Sequence, residues 1–343
     1  MIEEMEWFRR RGHAVWLGAR EKSGIRQLAA QRDLPFIPTP FRGSISPTAT
    51  AQIFRACRRL DVNLLLTRNS RDTSCAWPVA EILRLPLVRY QHICKKLKEG
   101  LLQKVLWRCA PDQIISVSQS IKNRLIDQNL ADEKSICVIG EFVDRRKYHP
   151  AVSSGDVRAR YGIPADATVI INVGMFRQDK GQALLLDEAG AILRARPDCW
   201  FMLVGDGLDA YGDVLREKIR QSPHAGRFVL TGFQSDTAAH IAASDLVCLT
   251  SKLEAQSKVI PQAFAMGKLV VAPDIGGIRE LVRDRENGLI YSRSQPGALA
   301  EALDAAFHID RKKLTLNAQA DAEQLDLDKV MERTEALYTS LVQ

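Results

Sequence analysis

The sequence predicts an α/β protein made of two parallel-sheet domains. Three observations predict it. At 343 residues the chain exceeds the usual size of one domain and suggests two. Short runs of Val, Ile and Leu alternate with amphipathic helical stretches, as expected of strands buried on both faces by crossover helices. The composition, 46% hydrophobic and 26% charged, is that of an ordinary globular chain, and no apolar run reaches the roughly 18 residues of a spanning helix.

The elements follow in order. Residues 1–11 read as a helix stopped by Gly12, and 14–18 as a strand. Ile25 to Gln31 is helical, 36–38 is a short strand, and Thr48 to Leu60 carries Ile53, Phe54, Cys57 and Leu60 on one helical face. Residues 63–67 form a buried strand ending in the polar run Arg68, Asn69, Ser70, Arg71, Asp72. A helix over 72–84 leads to the strand 86–90, which delivers His92. A helix over 101–109, a strand over 113–117, a helix capped by Ser118 and a strand over 136–139 complete the first half. Residues 140–155 read as the linker. The second half places strands at 169–173, 200–204, 228–230, 246–249, 269–272 and 289–291, with amphipathic helices over 296–307 and 327–341. Between the last strands, a polar loop from Ser251 to Lys258 opens a short helix with Pro261 in its first turn, where backbone N–H groups lack partners anyway, and Gly267 stops it. Ligands of such sheets bind beyond the C-terminal strand ends, and a helix start there suits an anion or a ring of hydroxyls.

Charge is uneven. Residues 1–150 hold 26 Lys and Arg against 15 Asp and Glu, the remainder 22 against 26. A basic first half suits an anionic partner, with a solvated basic surface as the plainer alternative. Arg89, Lys95, Lys96 and Lys98, interleaved with Ile93, Leu97, Leu101, Leu102 and Val105, have the make-up of a segment docking on anionic membrane, or of a normal surface helix. The basic residues sit in no recognised nucleic-acid module. The acidic start, Met1 to Glu6, lacks the basic and apolar regions of a signal peptide. The seven cysteines show no CxxC pair and read as buried reduced thiols of a cytoplasmic protein.

The stretch from Glu254 to Ala272 resembles the donor-sugar signature of the family-4 retaining glycosyltransferases of the GT-B fold: Glu, seven residues, Glu, then Ala-Met-Ala-x-Gly and a Val-Val strand. Glu254 stands as the first Glu, and Gln262 replaces the second. The flanks Gly276 to Val282 and Glu286 to Ile290 agree, as do Arg11 to Val15 and the junction from Phe142 to Pro150. The resemblance implies two Rossmann-like domains facing a cleft: 1–150 on the acceptor side, 151–325 binding the nucleotide sugar, and a final helix, 326–343, returning to the first domain. The family's first strand and the glycine-rich loop after it have no counterpart here.

What the resemblance implies about the site is specific. The loop from Val173 to Gly181 corresponds to the diphosphate loop, with Gly174 at its start, Lys180 kept, and Arg177 supplying the guanidinium that the family carries where Met175 stands. Glu254 holds the donor sugar, and Gln262 accepts from the ribose through its amide oxygen. The backbone N–H groups of Gln256, Ser257 and Lys258 face sugar or phosphate, with the Lys258 charge either added there or left in solvent. Gly205 ends a strand, and Gly232 and Phe233 sit beside the base. His92 stands where many family members place a His near the anomeric centre, with a structural histidine as the plainer alternative, so His92 and Glu254 are the catalytic candidates, His92 not being read as a general base. No Asp-x-Asp pattern follows a strand, so neither a metal nor another cofactor is implied. The implied reaction is retaining transfer from a nucleoside-diphosphate sugar, UDP ahead of GDP, to a glycan or glycolipid acceptor in lipopolysaccharide or other bacterial surface polysaccharide synthesis. It would occur in the cytoplasm or at the inner face of the membrane. The alternatives are a nucleotide-sugar 2-epimerase of the same fold and a truncated, non-catalytic nucleotide-binding relative.

Overall fold

The computed structural model describes residues 1–43, 45–92, 100–207 and 210–343, with only the backbone of 101 and 102. The chain divides into two compact units, residues 1–140 with 328–343, and residues 141–327.

The first unit contains α1 (Ile2–Arg10), β1 (Leu17–Ala19), α2 (Gly24–Gln31), β2 (Phe36–Pro38), α3 (Pro47–Arg59), β3 (Leu65–Thr67), α4 (Ser70–Leu83), β4 (Leu87–Gln91), α5 (Leu101–Arg108), β5 (Gln113–Ser116), α6 (Gln119–Asp127) and β6 (Ile136–Val138). Strands β3, β4, β5 and β6 form one parallel sheet in that order, while β1 and β2 form a separate parallel pair. Among the described residues no strand joins the two. A cavity of about 640 Å³ lies there, lined by Trp16 and Gly18, by Ile37, by Leu64, Leu65 and Leu66, and by Cys57 of α3. Asn69 starts α4 two residues ahead of the expected position, because its side chain accepts the Asp72 N–H at 3.0 Å. Ser118 caps α6 as expected, accepting from the Ile121 N–H at 3.2 Å.

The second unit contains α7 (Val157–Arg160), β7 (Thr168–Val173), α8 (Ala183–Ala195), β8 (Cys199–Val204), α9 (Ala210–Arg220), β9 (Phe228–Leu230), α10 (Ala238–Ala242), β10 (Leu246–Cys248), α11 (Val259–Ala265), β11 (Leu269–Pro273), α12 (Gly276–Arg279), β12 (Leu289–Tyr291), α13 (Ala298–His308) and α14 (Arg311–Gln324). Its sheet is wholly parallel, in the order β12-β11-β10-β7-β8-β9. Ile170, Ile171, Phe201, Met202, Val247 and Val271 are fully buried, which explains why these strands read as near-continuous apolar runs.

The final helix, α15 (Leu327–Val342), packs within the first unit. The Trp7 indole N–H donates to Asp328 at 2.7 Å, and Glu335 pairs with Arg11 at 2.7 Å and with His13 at 2.6 Å. The boundary between units falls at 140, ten residues before the expected one. Phe142, Val143 and Tyr148 are buried, and the Val143 N–H and C=O both bond the chain at Leu325 and Leu327, so the linker's start belongs to the second core.

Two surface expectations change. Arg89 cannot meet a membrane: it is 1% exposed, its guanidinium lies 3.4 Å from the Trp107 ring centroid, and it donates to the Leu106 carbonyl and the Ser70 hydroxyl. Ile93, Lys95, Lys96, Leu97 and Lys98 lie outside the described residues. The six described cysteines are free, but Cys109 is exposed and Cys137 half-buried. No helix among the described residues is long and apolar enough to cross a membrane.

His240 on α10 is buried, and neither ring nitrogen has a hydrogen-bond partner. Burial, and then the Arg160 charge, hold its pKa below the ordinary value. As pH falls below about 6.5, the unfolded chain therefore takes up a proton that the folded chain refuses, and stability drops. His240→Leu is expected to raise the melting temperature more at pH 5.5 than at pH 8. An equal shift at both would show that His240 contributes nothing to acid lability.

Candidate functional site

The site is built on the C-terminal ends of β7, β8, β9 and β10, which a parallel sheet brings to one edge. Each strand exits into a loop held by its neighbours. The Gly174 N–H donates to the Val204 carbonyl and the Phe176 N–H to the Asp206 carbonyl, both at 2.9 Å. The Phe176 ring is buried beneath and anchors the turn. The Gly205 N–H donates to the Gly232 carbonyl at 3.1 Å. At Gly205, φ is +147°, and a Cβ would lie 2.0 Å from the Gly174 carbonyl oxygen, so only glycine lets the two loops cross this closely.

The loops after β7 and β10 are sewn together in turn. The Thr250 hydroxyl donates to the Lys180 carbonyl at 2.9 Å, and the Lys252 N–H to the Asp179 carbonyl at 2.7 Å. Asn172, buried on β7, donates to the Cys248 carbonyl at 2.8 Å. Arg293, beyond β12, donates to the Thr250 carbonyl at 2.9 Å. These contacts bring Lys180 Nζ within 2.6 Å of the Glu254 carboxylate, and the Ser251 hydroxyl donates to the same oxygen at 3.0 Å. A cation and a carboxylate separated by 74 residues thus meet at the C-terminal edge of the sheet, half-shielded from water. Such a pair carries one charge suited to phosphate oxygens and one acceptor suited to hydroxyls.

The other expected site residues divide. Arg177 does not reach out: its guanidinium forks onto Asp179 of its own loop at 3.0 and 2.6 Å. Gln256 turns away from the sheet edge. Its amide oxygen accepts the Glu141 N–H at 2.8 Å, and its amide nitrogen lies 3.5 Å from Glu280. Lys258 lies over the Phe142 ring at 4.5 Å. Both side chains thus grip the start of the linker. Ser257 is buried, and Gln262 is half-buried in the first turn of α11. Gly232 has φ +71°, and Phe233 beside it is 73% exposed, an open aromatic face at the β9 exit. His92 follows β4 in the first unit. Its Nε2 lies 2.6 Å from Arg68 Nη1, and its ring stacks on Tyr90 at 5.2 Å. Among the described residues no group of three His, Cys, Asp or Glu has the arrangement of a metal site.

Sequence reasoning missed Asn172, Ser251, Thr250 and Arg293, which hold the loops rather than face a ligand. The available signal was a polar residue inside or just after an apolar run, as at Asn172 in β7. It also missed Arg68 beside His92, visible in sequence only as part of a polar run at a strand end.

Residues 1–147 match the profile of Glycosyltransferase Family 4 and residues 167–308 that of Glycosyl transferases group 1. A D-inositol 3-phosphate glycosyltransferase of Kineococcus radiotolerans is 27% identical, over 71% of this chain and 63% of that protein. A lipopolysaccharide core biosynthesis glycosyltransferase, LpsE of Rhizobium meliloti, is 30% identical, over 56% of this chain and 53% of its own. The matched stretch thus spans less than two-thirds of these curated relatives. Among solved structures, a glycosyltransferase of Rickettsia africae superposes with a TM-score of 0.89 at 20% identity, covering 100% of this chain and 94% of that one. HepE of Anabaena, in complex with UDP and glucose, superposes with a TM-score of 0.86 at 23% identity, covering 99% and 94%. The two profiles together take in both units, and the parallel-sheet architecture agrees with theirs: the chain has the GT-B fold and belongs to the group 1, family 4 glycosyltransferases.

Proposed function

We propose that this protein is a retaining glycosyltransferase that moves a sugar from a nucleoside-diphosphate sugar, a UDP-sugar ahead of a GDP-sugar, to a hydroxyl of a glycan or glycolipid. The observation that carries the reading is the Lys180–Glu254 pair at the sheet edge. In the proposed step the bond between the anomeric carbon and the β-phosphate oxygen breaks, and its electron pair leaves with the diphosphate. The acceptor oxygen bonds the same face of the anomeric carbon, and its proton passes to the departing phosphate oxygen. Lys180 meets the charge growing on the diphosphate, where a fixed cation stabilises the transition state more than the ground state. Glu254 accepts from the sugar hydroxyls and holds the ring. Gln262 accepts from the ribose, and Phe233 with Gly232 borders the base.

HepE was crystallised with UDP and glucose, which supports the UDP-sugar reading. The acceptor reading draws on two relatives, one named for inositol phosphate and one for the lipopolysaccharide core, and on the net positive charge of residues 1–150. A phosphorylated or lipid-linked acceptor at the inner membrane face fits all three. Calorimetry with UDP, GDP, UDP-glucose and GDP-mannose is expected to give binding of the uridine ligands, with UDP released on adding phosphorylated acceptors and the new linkage keeping the donor's anomeric configuration. Binding by none of the four would remove the reading. Release of free UDP from the sugar nucleotide with no acceptor would favour epimerase chemistry instead.

A further inference from the structure

In the turn after β7, Met175 lies between two peptide planes that are both held in place. The Gly174–Met175 peptide is fixed by Gly205. A Cβ placed on Gly205 would lie 2.0 Å from the Gly174 carbonyl oxygen, 2.8 Å from its carbonyl carbon and 3.5 Å from the Met175 nitrogen, so the carbonyl is the part that faces Gly205. A trans peptide sets its N–H opposite its C=O, and there is no cis peptide among the described residues, so the Met175 N–H points away from Gly205. The next peptide is fixed at both ends. The Met175 carbonyl accepts from the Gln182 side-chain amide at 3.0 Å, and the Phe176 N–H donates to the Asp206 carbonyl at 2.9 Å. Among the described residues the Met175 N–H has no partner, and Met175 is 58% exposed.

Gln182, just ahead of α8, is an uneconomical way to fill its space. It is 1% exposed, and its Oε1 has no hydrogen-bond partner. An unpartnered buried oxygen costs stability, and an apolar side chain of similar size would avoid that cost. What the amide supplies, and an apolar side chain would not, is the N–H that holds the Met175 carbonyl. Lys180 shares this corner: a Cβ on Gly174 would lie 4.0 Å from both Gln182 Nε2 and Lys180 Cδ. Arg177 is occupied by Asp179, so holding two phosphates here calls for neutral donors beside Lys180. We propose that Gln182 is a positioning residue: by holding the Met175 carbonyl it aims the Met175 N–H, as a hydrogen-bond donor, at the diphosphate of the sugar nucleotide. The choice of ligand rests on the transferase reading, in which Lys180 supplies the charge. The Met175 N–H adds an uncharged donor on the same turn, fixed before the ligand arrives.

The Met175 N–H can be watched without turnover. The chain has six methionines. In protein labelled with 15N-methionine, with Met175 assigned through Met175→Leu, saturating UDP is expected to move the Met175 amide proton downfield. Inorganic pyrophosphate should do the same, and uridine should not. Gln182→Leu should abolish this shift and weaken UDP about tenfold, as for one lost hydrogen bond, while leaving uridine within about twofold. UDP that binds the wild type without moving the Met175 signal overturns the proposal, even if Gln182→Leu does not fold. So does a Gln182→Leu protein that keeps the full shift, or one that weakens UDP and uridine equally, the mark of a loosened fold. A Met175 signal that answers pyrophosphate but neither UDP nor GDP would keep the aimed N–H and remove the sugar-nucleotide reading instead. Binding of none of these anions would overturn both.

Discussion

Lys180→Met is expected to lower kcat/KM for sugar transfer by about 10²–10³-fold, the size of effect seen when one fixed donor to a developing anion is removed. Glu254→Gln should cost a similar factor through loss of the hydroxyl acceptor. The two losses should not multiply. In the free protein each side chain is the other's partner at 2.6 Å, with 24% of the lysine and 11% of the glutamate exposed. Removing one therefore leaves the other's charge only half-solvated, and the survivor can settle in a new position. The double variant should lose less than the product of the single losses, giving a coupling energy of about 1–3 kcal/mol in a double-mutant cycle on kcat/KM. Strict additivity would mean that the pair acts as two separate groups. Unchanged kcat/KM in both single variants would remove this edge of the sheet from the chemistry.

Gly277→Ala should be the most damaging small substitution in the second unit. A Cβ at Gly277 would sit 1.4 Å from the carbonyl oxygen of Ala255 and 2.3 Å from its carbonyl carbon. Both are backbone atoms, so no side chain can swing aside. Either α12 lifts off the loop or the loop carrying Glu254 moves. Overpacking of this kind costs roughly 3 kcal/mol or more. We expect a lower melting temperature together with a raised donor KM, since Ala255 follows Glu254 directly. A variant as stable as the parent, with unchanged KM, would show that the loop is not held from this side.

The parallel strands were legible because burial on both faces leaves an unbroken apolar run, as in Val169 to Val173 and Trp200 to Val204. Helix α14 was not legible. Its buried face is Leu314, Ala318 and Ala322, and two alanines among polar neighbours make a weak stripe, although Asp310 caps it and accepts the Lys313 N–H at 3.1 Å. Lys180 and Glu254 were each expected in the site from the resemblance of their loops to the family's signature. Their mutual contact was not, because it depends on Thr250 and Lys252 drawing two loops together. Gln256 and Lys258 occupy the loop whose backbone N–H groups were expected to face ligand, their side chains being left open. Sequence position does not reveal which way a side chain turns, and here the linker's Glu141 N–H and the Phe142 ring claimed both. Arg177 was read as a phosphate clamp without weighing Asp179, two residues on and within reach of its fork.

The divided sheet of the first unit has a thermodynamic consequence. Among the described residues strands β1 and β3 each have a single strand partner, and a space of about 640 Å³ lies between their sheets. Cohesion there falls to the helices, chiefly to α15 clasping Trp7, Arg11 and Tyr90. Compression or warming should loosen this half before the other. Once loosened, its bare backbone rims are where chains would begin to stick to one another.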